Sequence, residues 1–356
     1  MDAVYAGSFD PLTNGHVWVI EEAKKMFNKI IILVGNNPMK TYTFSTEERM
    51  KMIKTLYPDI TVDVLGNEYT QKYCERKGIG VQIRGIRNVR DLEFEQEILF
   101  VNREIAKHVQ SVYLIPPSEV AGLSSSLVKS LIGNSQWQFV VGELVPENVF
   151  WELNKKYSLE YYMSPDISWM GIEDALMYCR PGIFYHSLQH IYETIQAFKE
   201  VKDIFTQPES VHVIAAICYH DIKDTEKESA EYAFEKFKDK ENYDAELIRD
   251  MILATEDHVV TGREIINTMI DCDLSIFGKD PVRFAEYERQ VFAESCYLYR
   301  NFGLPNFPEI YRKERNRIVK SFIDREYIYT TEYFREKNEK QARENLKILN
   351  ERLSDE

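Results

Sequence analysis

Five cysteines in 356 residues, Cys74, Cys179, Cys218, Cys272 and Cys296, never fall in a paired CxxC spacing. That scatter excludes a disulfide framework or a zinc ribbon and fits reduced, core-filling thiols. No run approaches the roughly 18 apolar residues of a membrane span, and the acidic Asp2 is unlike a basic signal-peptide start. Positive charge is also short: 44 Lys and Arg stand against 58 Asp and Glu, a net of -14. Such a balance argues against a phosphate-backbone surface. Neither a Walker A loop nor a GxGxxG turn is present. These absences predict a cytoplasmic protein without nucleic-acid or membrane partners.

What is present is an ordinary globular composition, 44% apolar and 29% charged, made aromatic-rich by 22 Tyr and 19 Phe. The length favours two domains. Charge is unevenly placed: residues 1–157 carry 18 basic and 19 acidic residues, and residues 158–356 carry 26 and 39. The first part alternates strand-like runs (Ala3 to Ala6, Lys29 to Gly35, Ile60 to Leu65, Gly80 to Arg84, Ser111 to Ile115) with amphipathic helical stretches. That alternation predicts an α/β domain, a parallel sheet with helices on both faces and its site at the carboxyl ends of the strands.

Beyond Tyr157 only helical periods occur: Ile172 to Cys179, Leu188 to Val201, Val211 to His220, Ser229 to Lys238, Ala245 to His258, Arg263 to Asp271, Val282 to Phe302 and Pro308 to Ser321. Breaks at Pro181-Gly182, Gly262, Gly278 to Pro281 and Gly303 to Pro308 separate them. An all-α second domain over 158–356 is expected.

Near the amino terminus, Gly7-Ser-Phe-Asp-Pro-Leu-Thr-Asn-Gly-His16 turns from a strand through a Gly/Pro loop into a helix. A helix start offers unpaired N–H groups and partial positive charge, and Ser8 and His16 stand beside it. Lys40, Arg84 and Arg87 follow at other strand ends. Convergent cations with a histidine suit nucleotidyl transfer, in which positioning and charge neutralisation supply most of the rate. Gly7 and Gly15 are expected to let the backbone approach a phosphate.

This block, together with Ile83-Arg-Gly-Ile-Arg87, Asp91-Leu-Glu-Phe-Glu95 and Leu123-Ser-Ser-Ser-Leu-Val-Lys129, closely resembles phosphopantetheine adenylyltransferase over residues 1–157. The resemblance implies a Rossmann-like nucleotidyltransferase domain that moves AMP from ATP, with Mg2+, onto 4'-phosphopantetheine in coenzyme A synthesis. It implies Ser8 and His16 as catalytic residues. ATP would meet Ser8, Phe9, His16, Gly85, Ile86, Arg87, Glu95, Val120, Ala121, Gly122, Leu123, Ser124, Ser125 and Ser126. The pantetheine side would meet Ser8, Lys40, Thr70 and Arg84. It also implies a homo-oligomer, the hexamer being the family's habit. The stretch Glu119 to Leu123 departs from the family in lacking aromatic residues before the serines.

The helical part holds His186-x3-His190, His220-Asp221, His258 and Asp271-x-Asp273. Histidines four apart share a helix face, and imidazole with carboxylate is divalent-metal chemistry. The order His, His-Asp, Asp resembles the HD superfamily of metal-dependent phosphohydrolases. By that resemblance His186, His220, Asp221 and Asp273 would bind a divalent transition metal or Mg2+, Asp271 competing for the last place. His190, Glu226 and His258 would support the ligands or the substrate. The loop between His220-Asp221 and Glu226 is shorter than in relatives, and a two-activity enzyme is the expectation.

Overall fold

The structure, a computed structural model, describes residues 1–37, 39–134, 136–302 and 307–355, the side chains of Asn301, Phe302 and Asp355 excepted. It divides into two compact units, Met1–Asn154 and Lys155–Glu356.

The first unit alternates β1 (Asp2–Gly7), α1 (Asn14–Met26), β2 (Lys29–Gly35), α2 (Thr46–Leu56), β3 (Thr61–Leu65), α3 (Thr70–Lys77), β4 (Val81–Gly85), α4 (Val89–Ile105) and β5 (Gln110–Leu114). Short helices α5 (Ser118–Ala121), α6 (Ser125–Leu131) and α7 (Trp137–Gly142) follow, and α8 (Glu147–Tyr162) runs across the division. The strands form a parallel sheet in the order β3-β2-β1-β4-β5. The run Ile30 to Val34 of β2 is buried throughout, as a strand covered on both faces must be. The chain moves to opposite sides of β1 to make β2 and β4, so the crevice lies where the carboxyl ends of β1 and β4 meet the helix starts. Glu95 is the one buried residue of α4; Val89, Phe94, Phe100 and Val101 of that helix are exposed.

The second unit is helical: α9 (Pro165–Ser168), α10 (Ile172–Met177), α11 (Leu188–Lys199), α12 (Gln207–Tyr219), α13 (Glu226–Phe237), α14 (Ala245–Asp257), α15 (Glu264–Asp273), α16 (Pro281–Phe302), α17 (Phe307–Ile323) and α18 (Glu332–Asp355). Its core draws Ile191, Ile195 and Phe198 from α11, Ile217 from α12, Ile248 and Ile252 from α14, and Met269 and Ile270 from α15. Each such side chain contributes about 1.5–3 kcal/mol on leaving water. The expected break at Gly303 to Pro308 falls mostly on residues 303–306, outside the described residues. The final helix α18 is absent from the periods read above. Its sequence is charge-dense, and only a narrow stripe containing Phe334, Ala342 and Leu346 is buried. Among the described residues no helix is long and apolar enough to cross a membrane.

Candidate functional site

In the first unit a cavity of about 400 Å3 opens at the carboxyl ends of β1 and β4. Ser8, His16, Arg84, Gly85, Arg87, Glu95, Val120, Leu123, Ser124, Ser125 and Ser126 all line it. His16 owes its state to the turn before α1. The Thr13 backbone N–H donates to His16 Nδ1 at 3.0 Å, so Nδ1 is the unprotonated nitrogen and Nε2 carries the hydrogen. Burial, helped by the positive charge of Arg87, lowers the His16 pKa to about 4. The ring is therefore a neutral donor.

The two arginines are held by carboxylates. Arg84 Nε donates to Glu95 Oε1 at 2.7 Å, and Arg87 Nε donates to Asp91 Oδ2 at 2.8 Å. Glu95 is only 6% exposed, so it belongs to the interior and serves to orient Arg84. Two of the three serines also have local duties: Ser124 Oγ accepts from Leu127 N–H and caps α6, and Ser125 Oγ donates to the Pro11 carbonyl at 2.8 Å.

Six expected residues do not line the cavity. Phe9 is buried, with φ +48° and its ring edge against His16. Ile86 is buried and donates its N–H to Leu114 O. Ala121 ends α5 and Gly122 follows it, before the serines. Lys40 is exposed after β2, and Thr70 begins α3 after β3, both beyond carboxyl strand ends. The glycines need a different reason from the one expected. A Cβ at Gly7 would lie 2.9 Å from the Phe9 ring, and one at Gly15 would lie 3.3 Å from Val120 O. The Phe9 ring leaves no room for a side chain at position 7, and one at position 15 would be tight.

Two buried charges that the sequence reading left without a role hold this site together. Asp10 accepts from Thr43 and Phe44 N–H groups and from Lys129 Nζ, each at 2.9 Å. It thereby joins the Ser8 turn, the base of the Lys40 loop and α6. Arg49, 1% exposed, donates to the carbonyls of Ser8 (2.7 Å), Gly35 (3.1 Å) and Ser45 (3.2 Å). A signal existed: Arg49 precedes the buried pair Met52 and Ile53 by three and four residues, a charge on an apolar helix face.

In the second unit, α11, α12 and α15 bring His190, His220, Asp221 and Asp273 together. The His190 and His220 Nε2 atoms lie 3.1 Å apart. Asp221 Oδ2 is 3.3 Å from the first and 3.0 Å from the second, and Asp273 Oδ1 is 3.0 Å and 3.4 Å away. Adjacent ligands on an ion with bonds of about 2.1 Å are separated by about 3 Å, so the spacing fits a divalent metal. The chemistry fits as well. His220 Nδ1 faces the Ile217 carbonyl at 2.8 Å and so carries a hydrogen, which leaves Nε2 as the nitrogen turned to the cluster. Asp221 Oδ2 is buried without an aligned donor. Burial pushes the Asp221 and Asp273 carboxyls up, but the facing imidazoles outweigh it and hold both well below the usual carboxylate range.

The other expected residues have distinct places. His186 stands beside the cluster, its Nδ1 2.6 Å from Glu294 Oε2, while Glu294 Oε1 accepts from the N–H groups of Phe184, Tyr185 and His186. Glu294 lies over a hundred positions away on α16, and nothing in the motif pointed to it. His258 Nε2 meets Asp273 Oδ2 at 2.9 Å from a left-handed position, φ +51°, whose carbonyl accepts from Arg325 Nη1. Glu226 lines a cavity next to His186 and Asp221. Asp271 is excluded from the cluster: its two oxygens accept from the N–H and hydroxyl groups of Thr330 and Thr331 at 2.7–3.0 Å.

The cytidylyltransferase-like family profile matches residues 4–131. Residues over 44% of the chain are 39% identical to a phosphopantetheine adenylyltransferase of Chromobacterium violaceum, covering 97% of that protein. A Neisseria meningitidis phosphopantetheine adenylyltransferase is 38% identical over 42% of the chain and 89% of its own length. One from Nitratidesulfovibrio vulgaris is 36% identical over 47% of the chain and 89% of its length.

Proposed function

The chain belongs, through its N-terminal unit, to the phosphopantetheine adenylyltransferase family, and from that premise we propose that this unit transfers AMP from ATP to 4'-phosphopantetheine, releasing pyrophosphate. The observation that carries the reading is the fixed neutral state of His16. Its Nε2–H, presented beside Ser8 in the cavity, is a preorganised donor for an α-phosphate oxygen, whose charge grows as the acceptor phosphate attacks. The acceptor supplies its own nucleophile, so no general base is required. Arg87 faces the ATP phosphates, Arg84 is oriented by Glu95, and Mg2+ arriving with ATP would neutralise the remaining charge. Incubation with ATP and either 4'-phosphopantetheine or nicotinamide mononucleotide, with pyrophosphate as readout, tests the acceptor. Product from the second alone would overturn the reading. The exposed Phe100 and Val101 of α4 support a homo-oligomer, a hexamer by family habit, which light scattering would measure.

For the second unit we propose a metal-dependent phosphohydrolase of the HD kind. His190, His220, Asp221 and Asp273 are the ligands that the distances favour, with His190 taking the place expected of His186. Such an ion would lower the pKa of a bound water and polarise a phosphoryl oxygen. Glu294 fixes the His186 ring at the cavity floor, and His258 holds one Asp273 oxygen so that the other turns to the ligand group. Metal analysis of the purified chain, with phosphate release as the second readout, tests the reading. Metal retained without turnover on any phosphoester would instead make this unit a sensing or assembly module.

A further inference from the structure

Beside the histidine cluster of the helical unit lies a cavity of about 410 Å3, with His186 and Asp221 among its lining residues. Ile183, Val291, Tyr297 and Leu298 give it an apolar wall. Gly182 makes that wall: its φ is +93°, and a Cβ there would lie 2.3 Å from the Tyr297 ring, so the ring packs directly on the backbone. The charged lining is unbalanced. Arg180 and Lys223 face Asp221, Asp224, Glu226 and Glu294. Both cations are partly engaged, Arg180 Nε with the Met177 carbonyl at 2.8 Å and Lys223 Nζ over the Tyr232 ring at 4.5 Å.

Resting on the hydrolase reading above, we propose that this cavity selects phosphate monoesters with one slender, uncharged organic arm and rejects diphosphates, triphosphates and dinucleotides. A divalent ion at the cluster, with Arg180 and Lys223, balances all but one of the five carboxylates, Asp273 included, so a single phosphoryl group meets far less repulsion than two or three would. Every added phosphate brings negative charge for which no cation is left, in a site partly shielded from water. Size points the same way. The volume sits low in the range of about 300–1,000 Å3 for small-molecule pockets, room for one small ester and not for two joined nucleotides. The apolar wall takes the arm, leaving the phosphate at His186 and Asp221. In the reaction a water oxygen forms the new P–O bond, the ester P–O bond breaks, and a water proton goes to the departing alkoxide. The products are an alcohol and inorganic phosphate. The acceptor proposed for the other unit, 4'-phosphopantetheine, belongs to this class, whereas dephospho-CoA with its bridging diphosphate does not.

The test uses the full chain loaded with Mn2+. Phosphate release is measured for 4'-phosphopantetheine, AMP, ATP and dephospho-CoA, and binding of benzylphosphonate is measured by calorimetry in the native chain and in Leu298→Trp, which fills the slot. The expected result is a kcat/KM at least about tenfold higher for a monoester than for ATP or dephospho-CoA. Benzylphosphonate binding should weaken about tenfold or more in Leu298→Trp with metal content unchanged. Preference for ATP or dephospho-CoA, or unchanged phosphonate binding in Leu298→Trp, overturns the selectivity and leaves the hydrolase reading standing. No phosphate from any compound in a fully metal-loaded chain defeats the hydrolase reading, and the selectivity with it.

Discussion

Asp271 and Asp273 are two residues apart on one helix, and exchanging each for Asn should separate their roles. Asp271 is fully buried and accepts four hydrogen bonds from Thr330 and Thr331. In Asp271→Asn one oxygen becomes an NH2 group that faces an N–H and a hydroxyl. The hydroxyl can turn to accept from it, but the buried N–H loses its acceptor and the remaining bonds lose their charge assistance, together about 3 kcal/mol. For a unit of this size that lowers the unfolding temperature by about 6–12 °C. Asp273 instead meets the imidazoles of His190, His220 and His258, so Asp273→Asn should lose bound metal while its metal-free form unfolds near the metal-free native chain. Calorimetric unfolding and elemental analysis on both variants give the crossed result. If Asp271→Asn lost metal with its unfolding temperature unchanged, the assignment of Asp271 as a structural anchor would be refuted.

Because the depressed His16 pKa of about 4 keeps the ring neutral above that pH, adenylyl transfer should show no histidine inflection between about pH 6 and 7; an inflection abolished by His16→Asn would contradict this. His16→Ala should lower kcat about 10²–10³-fold with little change in KM, measured by pyrophosphate release. Arg49→Met takes the buried donor from the Ser8 and Gly35 carbonyls, while Ser45 O keeps the backbone N–H of position 49, and should destabilise the first unit by about 2 kcal/mol or more in denaturant titration. Glu294→Gln frees the His186 ring, which is not among the four proposed ligands, so metal affinity in competition with a chelator should hold while phosphate release falls; a loss of about 10- to 100-fold in affinity would instead make His186 a ligand.

The sheet was readable because β1 and β2 carry apolar runs between turn residues, while β3 and β4 alternate apolar with polar positions. The nucleotide cavity was readable where residues are local in sequence, as with Ser8 and His16 around one turn. It was not readable where a side chain's partner is distant: Glu95 looks like solvated helix charge until Arg84 is placed against it, and Asp10 gains its meaning only from Thr43, Phe44 and Lys129. The same limit governed the helical unit. The spacing of His186 and His190 predicts one shared helix face, but α11 begins only at Leu188, so His186 lies in the turn before it and His190 alone is carried by the helix to His220. Helix α18 escaped because its buried stripe is narrower than its charged surface.

The Asp271 anchor ties the order of synthesis to the making of the cluster. Helix α15, which carries Asp273, is held through Asp271 to Thr330 and Thr331, and Asn345 of α18 donates to the Phe277 and Lys279 carbonyls just beyond it. All the proposed ligands have left the ribosome some seventy residues before Asn345 does. The N-terminal unit can close as soon as its own residues are free, but the histidine-aspartate cluster must wait for a helix that contributes no ligand to it. A chain ending shortly after residue 300 would therefore carry the nucleotide unit whole and a histidine-aspartate cluster with every proposed ligand and no frame.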